Sequence, residues 1–388
     1  MFKGHREHPD FKGLGTVPVE GLPETMLAAE VHEFNKPYTI HQVPTPKSLD
    51  PYDLLIRVAV ASFCHTDALI LSGGLESTPS GFSGSHEPTG TLYAMGSAAA
   101  TLGFKLGNRV AAEGWRDPCG QCADCKGPNS VHHYCKYMKG FVGSTLPGAF
   151  QEYTVVDARF SVKLPDQLSF ETAAPLTCAG ATAWRAVKTA IQGVERGQWI
   201  GIVGSGGGLG HLAIQFAIGL GFKVLGVDAR DQGLALSKKA GATLVADART
   251  GREELLKHIT EATGGPLMAA SIVLSDHVTA SETACAITEC HCDVIQVAQP
   301  PEMVVIDFRE FIFRDIRLKG SLLASQEELQ EMIQFVVDHN VQVETRLYKG
   351  LESLHEIVEE AHKATFAGKM VVAVNVEEVE KDQQLKRL

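Results

Sequence analysis

Five glycines lie within the seven residues 204–210, between an apolar run and a segment with helical periodicity. The run before them, 199–203, is short, continuous and apolar, which predicts a buried strand. The segment after them places apolar residues at helical spacing from Leu209 to Leu220. Glycines at a strand-to-helix junction let the backbone approach a pyrophosphate, and the helix N-terminus presents its amides to that anion. The segment therefore predicts a dinucleotide-binding loop, with a plain structural turn as the alternative.

The alternation of strands and helices continues beyond this loop. Predicted strands cover 223–227, 242–245 and 269–274, and predicted helices cover 231–240 and 252–262. Strands that alternate with helices form a parallel sheet with crossover helices. We therefore expect residues 176–321 to form a doubly wound α/β (Rossmann) cofactor domain.

Asp228 ends the second predicted strand of this domain, 24 residues after Gly204. A carboxylate at this place accepts hydrogen bonds from the adenosine ribose hydroxyls and repels a 2′-phosphate. It favours NAD over NADP, and the nearby Arg230 could soften that preference. The predicted cofactor-binding residues of this domain are Gly204, Gly206, Gly207, Gly208, Leu209, Gly210, Asp228 and Arg230.

The rest of the chain has a different pattern. Residues 26–175 contain short apolar runs, such as 53–60, broken by Gly, Pro and Ser, which predicts a mostly β domain with long loops. Residues 1–25 have no periodic pattern and are expected to be an extension that is draped over the surface or loosely ordered. Residues 322–388 contain a predicted helix and two β-like segments, and we expect them to return to the first domain and to end in a tail.

Charge and hydropathy exclude several classes of protein. The net charge of −11 argues against a broad nucleic-acid-binding surface, which needs clustered Lys and Arg. No stretch reaches the ~18 consecutive apolar residues of a membrane helix. Residues 1–21 are charged and have no apolar core, so we expect no secretory signal and a cytoplasmic protein. In that compartment clustered cysteines are metal ligands more often than disulfides.

Four of the nine cysteines lie within 17 residues, in a lobe at about 115–140. Closely spaced thiols supply the tetrahedral ligands that a structural zinc ion requires, and such a closed site leaves no position for substrate. The predicted ligands are Cys119, Cys122, Cys125 and Cys135. Nine residues separate the last two cysteines, so His133 stays open as the fourth ligand. A chance group of free or redox-active cysteines is the alternative.

A second set of potential ligands is dispersed along the chain. It comprises Cys64-His65-Thr66-Asp67, His86-Glu87 and Cys178. From the residues alone, a shared site and incidental, separately buried side chains both stay open. A further group at Cys285, Cys290, His291 and Cys292 falls in the predicted cofactor domain, and we interpret it as a helix end that runs into a strand.

Together these motifs resemble the zinc-dependent medium-chain alcohol dehydrogenases, especially the yeast-like branch, from about residue 24 to residue 376. The resemblance implies that 26–175 is a GroES-like catalytic domain. It also implies a catalytic zinc ion held by Cys64, His86 and Cys178, with Glu87 beside the metal and able to ligate it. Zinc would act as a Lewis acid on an alcohol or carbonyl oxygen while hydride passes to or from the nicotinamide.

The resemblance also implies roles for residues around that ion. Thr66 would hydrogen-bond the substrate oxygen and begin a proton relay, and Asp67 would orient His86. His65 would touch the cofactor pyrophosphate, and Trp115 would form a wall of the substrate pocket. Lys369 would take the place of an arginine that the family often has on the pyrophosphate.

The chain departs from the family pattern at two further places. Leu69 stands where the relay commonly ends in a histidine, so we expect the proton to leave through the nicotinamide ribose hydroxyl and water, or through His65. The segment 71–85 shares almost nothing with the enzymes of small alcohols, so ethanol is a poor guess for the substrate.

The resulting hypothesis is a homodimeric or homotetrameric dehydrogenase with two zinc ions per chain, which uses NAD to interconvert an alcohol and its aldehyde or ketone. The alternatives are a biosynthetic reductase of a bulkier carbonyl compound, with NADPH as its cofactor, and a non-catalytic member of the family that only binds cofactor or partners.

Overall fold

The computed structural model describes residues 3–11, 13–75, 81–127, 131–300, 302–363 and 366–385. Their strands are β1 (Val17–Pro18), β2 (Thr25–Val31), β3 (Thr39–Pro44), β4 (Ser48–Leu49), β5 (Asp53–Phe63), β6 (Phe82–Ser83), β7 (Pro88–Met95), β8 (Arg109–Ala112), β9 (Trp115–Arg116), β10 (Gly140–Phe141), β11 (Tyr153–Asp157), β12 (Ser161–Lys163), β13 (Trp199–Val203), β14 (Lys223–Asp228), β15 (Leu244–Asp247), β16 (Met268–Val273), β17 (Thr288–Gln296), β18 (Arg317–Gly320), β19 (Thr345–Lys349) and β20 (Lys369–Ala373). Their α-helices are α1 (His65–Leu71), α2 (Ala123–Lys126), α3 (Phe170–Ala173), α4 (Ala179–Ala190), α5 (Gly210–Gly219), α6 (Asp231–Lys239), α7 (Arg252–Thr263), α8 (Ala280–Ile287), α9 (Phe308–Ile312), α10 (Gln326–Asp338), α11 (Leu354–Lys363) and α12 (Val376–Leu385).

Six strands form a parallel sheet in the order β15-β14-β13-β16-β17-β18. From β13 the chain adds β14 and β15 on one side of the sheet, and then β16, β17 and β18 on the other side of β13. The strand order therefore reverses between β13 and β16. Ligands of doubly wound sheets bind at the carboxyl ends of the strands at this switch point. The doubly wound fold is confirmed, and its predicted elements from 199 to 274 agree with the structure to within two residues.

A seven-stranded sheet forms the core of the other domain. Its order is β12-β8-β7-β5-β20-β19, and β11 also pairs with β5. Ten of the eleven residues of β5 are buried, because strands flank it and side chains cover both of its faces. β20 comes more than 300 residues later, and its antiparallel pairing with β5 places Met370 opposite Phe63. This pairing brings the start of β20 beside the turn that follows β5.

The cysteine-rich lobe projects from this domain between β9 and β10, and the described part of the N-terminal segment lies along it. The backbone N–H of Lys3 donates to the carbonyl of Lys136 at 2.7 Å, and that of Arg6 donates to the carbonyl of Tyr137 at 3.1 Å. Phe11 is buried against the ring of Tyr52, with 5.7 Å between the ring centroids. The described part of the extension therefore has defined contacts with the lobe.

The group of Cys285, Cys290, His291 and Cys292 divides between two elements. Cys285 is buried in α8, whereas the other three residues lie on β17. No helix in the described ranges has both the length and the apolar character needed to cross a bilayer.

Candidate active site and metal centres

Cys64 lies at the turn between β5 and α1, and its backbone is held by Asp67. The Asp67 carboxylate accepts a hydrogen bond from the Cys64 N–H at 2.8 Å, as the N3 residue of a capping box does. Its other oxygen accepts a hydrogen bond from the Ser85 N–H at 2.7 Å. Burial raises the pKa of Asp67 to about 6, although the charge of His86 acts in the opposite direction. One buried carboxylate thus joins the two turns that carry Cys64 and His86.

Ser85 precedes His86 in a left-handed backbone conformation with φ of 66°. This conformation costs a non-glycine residue free energy, so the surroundings have to maintain it. Asp67 accepts from the Ser85 N–H, and the Ser85 hydroxyl donates to the carbonyl of Ser62 at 2.9 Å. Asp67 therefore positions His86 through its neighbour Ser85. His86 Nδ1 has no hydrogen-bond partner among the described residues.

Glu87 is fully buried and pairs with Lys369 at the start of β20. The distance from Lys369 Nζ to Glu87 Oε1 is 2.8 Å, and Lys369 is also buried. Burial raises the pKa of Glu87 to about 7 against the opposing effect of the Lys369 charge. Glu87 Oε2 has no hydrogen-bond partner in the part of the chain that the structure describes. A buried carboxylate oxygen without a partner is a donor available to a cation.

Cys178 is the N-cap residue of α4 and completes this group of ligands. The ligand atoms of Cys64, His86, Glu87 and Cys178 all lie within 4.8 Å of one another. The Cys178 thiol donates a hydrogen bond to Cys64, and Lys369 and His86 add positive charge, so the pKa of the Cys64 thiol is well below its usual range. Two sulfur donors, an imidazole and a carboxylate form a set that zinc accepts. The residues present therefore fit a zinc ion.

The four cysteines of the lobe form a second group. Cys122 Sγ lies 3.6 Å from Cys125 Sγ and 3.8 Å from Cys135 Sγ. Sulfur atoms about 2.3 Å from a tetrahedral zinc ion are about 3.8 Å apart, whereas a disulfide bond is only about 2.0 Å long. The fourth member of the group is Cys119. This group therefore fits a closed structural zinc site.

His133 lies outside the group of four sulfur atoms, and the structure instead brings Cys135 to the other three cysteines. The Cys125 thiol and the backbone N–H of Cys119 donate to Cys135, which lowers the pKa of its thiol to about 5. The imidazole of His133 is buried, and desolvation lowers its pKa to about 3. Neither ring nitrogen of His133 has a hydrogen-bond partner among the described residues.

The glycine loop follows β13 as the sequence predicts, and close contacts explain two of its glycines. A Cβ atom on Gly206 would lie 2.0 Å from the carbonyl oxygen of Gly233, and a Cβ atom on Gly208 would lie 2.8 Å from Cδ of Lys369. The backbone of the loop therefore packs directly on α6 on one side and on the Lys369 side chain on the other. The charged Nζ of Lys369 therefore pairs with Glu87, while its alkyl chain packs against the loop.

Asp228 ends β14 and is buried beneath the loop. Its carboxylate accepts hydrogen bonds from the Gly206 N–H at 3.0 Å and from the Ala229 N–H at 2.9 Å. The guanidinium of Arg230 is also within reach, with 3.3 Å between Arg230 Nε and Asp228 Oδ1. Asp228 thus fixes the loop, and the half-exposed Arg230 covers the carboxylate.

A cavity of about 390 Å³ lies between the two domains and joins these parts. Cys64, His86 and Cys178 line it on one side, and Gly207 and Gly208 line it on the other. Thr66 and Leu69 of α1 also line it, and His65 Nε2 lies 3.6 Å from Asp276 Oδ2 across the cavity. The donor group and the glycine loop therefore open into one space.

Comparison with known proteins shows to which family the chain belongs. Residues 50–166 match the alcohol dehydrogenase GroES-like domain, and residues 208–338 match the zinc-binding dehydrogenase domain. The chain is 30% identical over 351 residues to an alcohol dehydrogenase of Geobacillus stearothermophilus, which covers 90% of this chain and 100% of that protein. The chain belongs to the alcohol dehydrogenase family. It is therefore an alcohol oxidoreductase with a GroES-like and a Rossmann domain.

Solved structures of alcohol dehydrogenases and related proteins share the fold over almost its whole length. The alcohol dehydrogenase of the archaeon Aeropyrum pernix superposes with a TM-score of 0.80 at 27% identity, over 89% of this chain and 99% of that one. The acetophenone reductase of Geotrichum candidum, solved with NAD, superposes with a TM-score of 0.77 at 25% identity, over 91% and 98%. As for other alcohol dehydrogenases, small molecules are the substrates.

Sequence reasoning missed several residues that line the cavity of this alcohol dehydrogenase. Leu274, Val297 and Leu322 lie just beyond β16, β17 and β18, at the carboxyl ends of three neighbouring parallel strands. The rule for ligand sites of doubly wound sheets would have selected these positions. Phe141 is also missing from the prediction; it packs edge-on against Trp115, with 4.5 Å between centroids. Only the pairing of β9 with β10 reveals that contact.

Proposed function

We propose that this chain is a zinc- and NAD-dependent dehydrogenase that transfers hydride reversibly between an alcohol and NAD, giving an aldehyde or ketone and NADH. The observation that carries the proposal is that Cys64, His86 and Cys178 line the same cavity as Gly207 and Gly208. A substrate there would contact both the donor group and a cofactor on the loop. When bound, zinc supplies Lewis-acid polarisation of the substrate oxygen and NAD supplies the hydride acceptor.

The residues of the chain would orient the substrate and move its proton. Thr66 lines the cavity, and its Oγ1 lies 3.8 Å from Cys64 Sγ, so its hydroxyl can hydrogen-bond an oxygen near the donor group. Leu69 follows one helical turn later and cannot take up a proton. A bound cofactor would offer its ribose hydroxyl, with water, as one acceptor for the proton from Thr66, and His65, whose imidazole is largely exposed, would be the other.

Glu87 and Lys369 would connect the metal site to the cofactor loop. Glu87 can ligate zinc through Oε2 while Oε1 keeps its pair with Lys369. Lys369 packs on Gly208, and we propose that its charge attracts the pyrophosphate of the cofactor into the loop. The paired charges also avoid leaving either ion buried alone, which would be costly.

A second zinc ion would bind to Cys119, Cys122, Cys125 and Cys135, where it would stabilise the lobe. We further propose a cytoplasmic protein that works as a homodimer or homotetramer and binds neither nucleic acid nor membrane.

The walls of the cavity favour an apolar substrate. Leu69, Leu75, Leu274, Val297 and Leu322 line the cavity, together with the rings of Trp115 and Phe141.

The alternative function, reduction of a bulkier carbonyl compound with NADPH, is favoured by the position of Arg230, since a 2′-phosphate would attract this side chain away from Asp228. The name of the acetophenone reductase similarly points to aryl ketones for a relative of this fold.

A panel of aliphatic and aryl alcohols and their carbonyl products, assayed by nicotinamide absorbance with both cofactors, tests the proposal. We expect turnover with NAD(H), with larger apolar substrates preferred over ethanol. Turnover with NADPH alone would support the alternative function as an NADPH-dependent carbonyl reductase. Tight cofactor binding without any turnover would support a non-catalytic member of the family.

The variant Cys178→Ser tests the role of the donor group. Removal of one sulfur ligand is expected to lower kcat/KM at least about a thousand-fold, since Lewis-acid stabilisation contributes several kcal/mol to the transition state. The metal content should fall by one ion per chain. Cys290→Ser is the control, because that thiol is exposed and lies on β17. Full activity of Cys178→Ser would contradict the proposal.

A further inference from the structure

Two histidines and one glutamate converge on the surface of the GroES-like domain, at the small sheet of β2, β3 and β6. Glu30 Oε2 lies 2.8 Å from His41 Nε2 and 3.1 Å from His32 Nε2. The two Nε2 atoms are 3.3 Å from each other. Three donor atoms therefore form a nearly equilateral triangle. None of these residues belongs to the cavity described above.

Strand register produces this convergence. In the antiparallel pair of β2 and β3, Ala28 is opposite His41 and Glu30 is opposite Thr39, so Glu30 and His41 are diagonal neighbours on one face. His32 follows β2 and has the same parity as Glu30, so it projects from that face as well. Ala29 and Val31, with the other parity, pack into the hydrophobic core. The core-facing residues thus fix the side on which the three donors appear.

The spacing matches the ligand spacing of a small divalent metal ion. Nitrogen and oxygen ligands about 2.0–2.1 Å from a tetrahedral zinc ion are about 3.4 Å apart. Two of the three distances between the donor atoms, 3.1 and 3.3 Å, are close to this value, and the third, 2.8 Å between Glu30 and His41, is shorter. An ion pair would explain the contact of one histidine with the Glu30 carboxylate. It does not explain why both imidazoles direct Nε2 at the same carboxylate oxygen and at each other.

The donor chemistry and exposure define the class of ligand. Two imidazoles and one carboxylate suit borderline first-row ions such as Zn²⁺, Co²⁺ or Ni²⁺ better than Ca²⁺ or Mg²⁺, which prefer oxygen ligands. His32 and His41 are 45% and 38% exposed, whereas Glu30 is 14% exposed. Water can therefore reach the open side of the triangle and supply the remaining coordination position.

We propose that Glu30, His32 and His41 form a third metal site, which binds one zinc-like divalent ion at the surface and joins β3 to the end of β2. The site is separate from the proposed hydride-transfer site and contains no cysteine. Metal binding here is therefore independent of turnover.

Equilibrium dialysis of the full chain, purified with its resident zinc, against increasing concentrations of ZnCl₂ tests this proposal. Metal per chain is counted for the wild type, His41→Ala and Glu30→Gln. We expect the wild type to bind one more ion than His41→Ala. Glu30→Gln should bind that ion at least about tenfold more weakly, because loss of even an outer partner of a metal ligand costs tenfold or more.

His258→Ala is the matched control, because His258 is an exposed histidine on α7 in the other domain. It should bind as much zinc as the wild type. Circular dichroism establishes that each variant is folded, and alcohol oxidation establishes that the active site is intact. Equal zinc binding by the wild type and by folded His41→Ala would overturn the proposal, whether or not the chain oxidises alcohols.

Discussion

His211 is a buried histidine at the start of α5, and its two ring nitrogens join the cofactor loop to a distant segment. Nε2 accepts a hydrogen bond from the Glu344 N–H at 3.1 Å, so the proton is on Nδ1, which donates to the Gly207 carbonyl at 3.0 Å. The bond from the Glu344 N–H requires an unprotonated Nε2, so this arrangement needs the neutral ring. Burial lowers the pKa of His211 to about 4.

This depressed pKa predicts acid sensitivity. Between pH of about 6.5 and about 4 the unfolded chain binds a proton at His211 and the folded chain does not. The free energy of unfolding therefore decreases as the pH falls through this window, by up to about 3 kcal/mol, and this contribution is fully present above it. Urea denaturation of the wild type and of His211→Asn at several pH values measures the effect. The variant should show the shallower pH dependence, whereas exposed His258→Asn should follow the wild type; equal slopes in wild type and His211→Asn would contradict the assignment.

Asp228 predicts the choice of cofactor. Replacing it with alanine removes the charge that would repel a 2′-phosphate, and Arg230 becomes available to pair with that phosphate. We expect kcat/KM with NADP to rise at least about tenfold, since a like-charge contact costs several kcal/mol. The variant also loses the hydrogen bond to Gly206, so activity with NAD should fall. A loss with both cofactors would indicate that Asp228 is only structural.

At the scale of elements, the N-terminal segment acts on the cysteine-rich lobe. His5 Nε2 lies 2.6 Å from Asp117 Oδ2, and the Gln121 side chain donates to the Glu7 carbonyl at 3.1 Å. Phe11 anchors the segment, because it is the buried apolar residue of the described part before β1. We infer that the segment holds the lobe closed around its four cysteines.

Phe11→Ala should therefore speed the release of the zinc ion that we propose for the lobe. A buried Phe-to-Ala change costs about 3 kcal/mol, which would raise the population of the detached segment about a hundredfold. Release to a chromogenic chelator measures this effect. Leu14→Ala is the matched control, since Leu14 is 44% exposed. If both variants release zinc at the wild-type rate, the segment does not hold the lobe.

Elements with strong local periodicity were predictable. β13, α5 and β14 follow directly from an apolar run, a helical face and a second run, since these patterns depend on neighbours in sequence. The short strands around the lobe, β9 and β10, were not predicted. Each of these strands has only two residues, which is too short to show a periodic pattern. Only the pairing of the two strands with each other defines them.

At the scale of the whole molecule, one edge of the parallel sheet is bare in the described chain. All four residues of β18 are exposed at the end of the sheet. Leu318 of this strand is apolar and exposed, and so are five apolar side chains of the segment that precedes the strand in the chain: Met303, Val305, Phe308, Ile312 and Phe313. A bare strand edge with exposed apolar side chains near it in the chain favours pairing with another copy of the chain.

We therefore expect a dimer in which β18 pairs with the same strand of a second copy about a two-fold axis. Light scattering coupled to size-exclusion chromatography should give at least twice the chain mass. Phe313→Asp should shift the population toward monomer, because it would bury two charges at the interface. Leu106→Asp, an equally drastic change at a leucine that is 62% exposed elsewhere, should not. A monomeric wild type would contradict this interface.

The sequence alone determined the periodic elements, the glycine loop, the acidic residue at the end of β14 and the group of four cysteines, because each depends on residues close together in the chain. The resemblance also grouped Cys64, His86 and Cys178. Tertiary structure decided the rest: Cys135 rather than His133 beside the other thiols, Lys369 on Glu87, and Asp67 on Ser85, the neighbour of His86. It also brought His32 and His41 to Glu30. These contacts depend on strand pairing and on competition for buried hydrogen-bond partners, and neither leaves a periodic signal in the sequence.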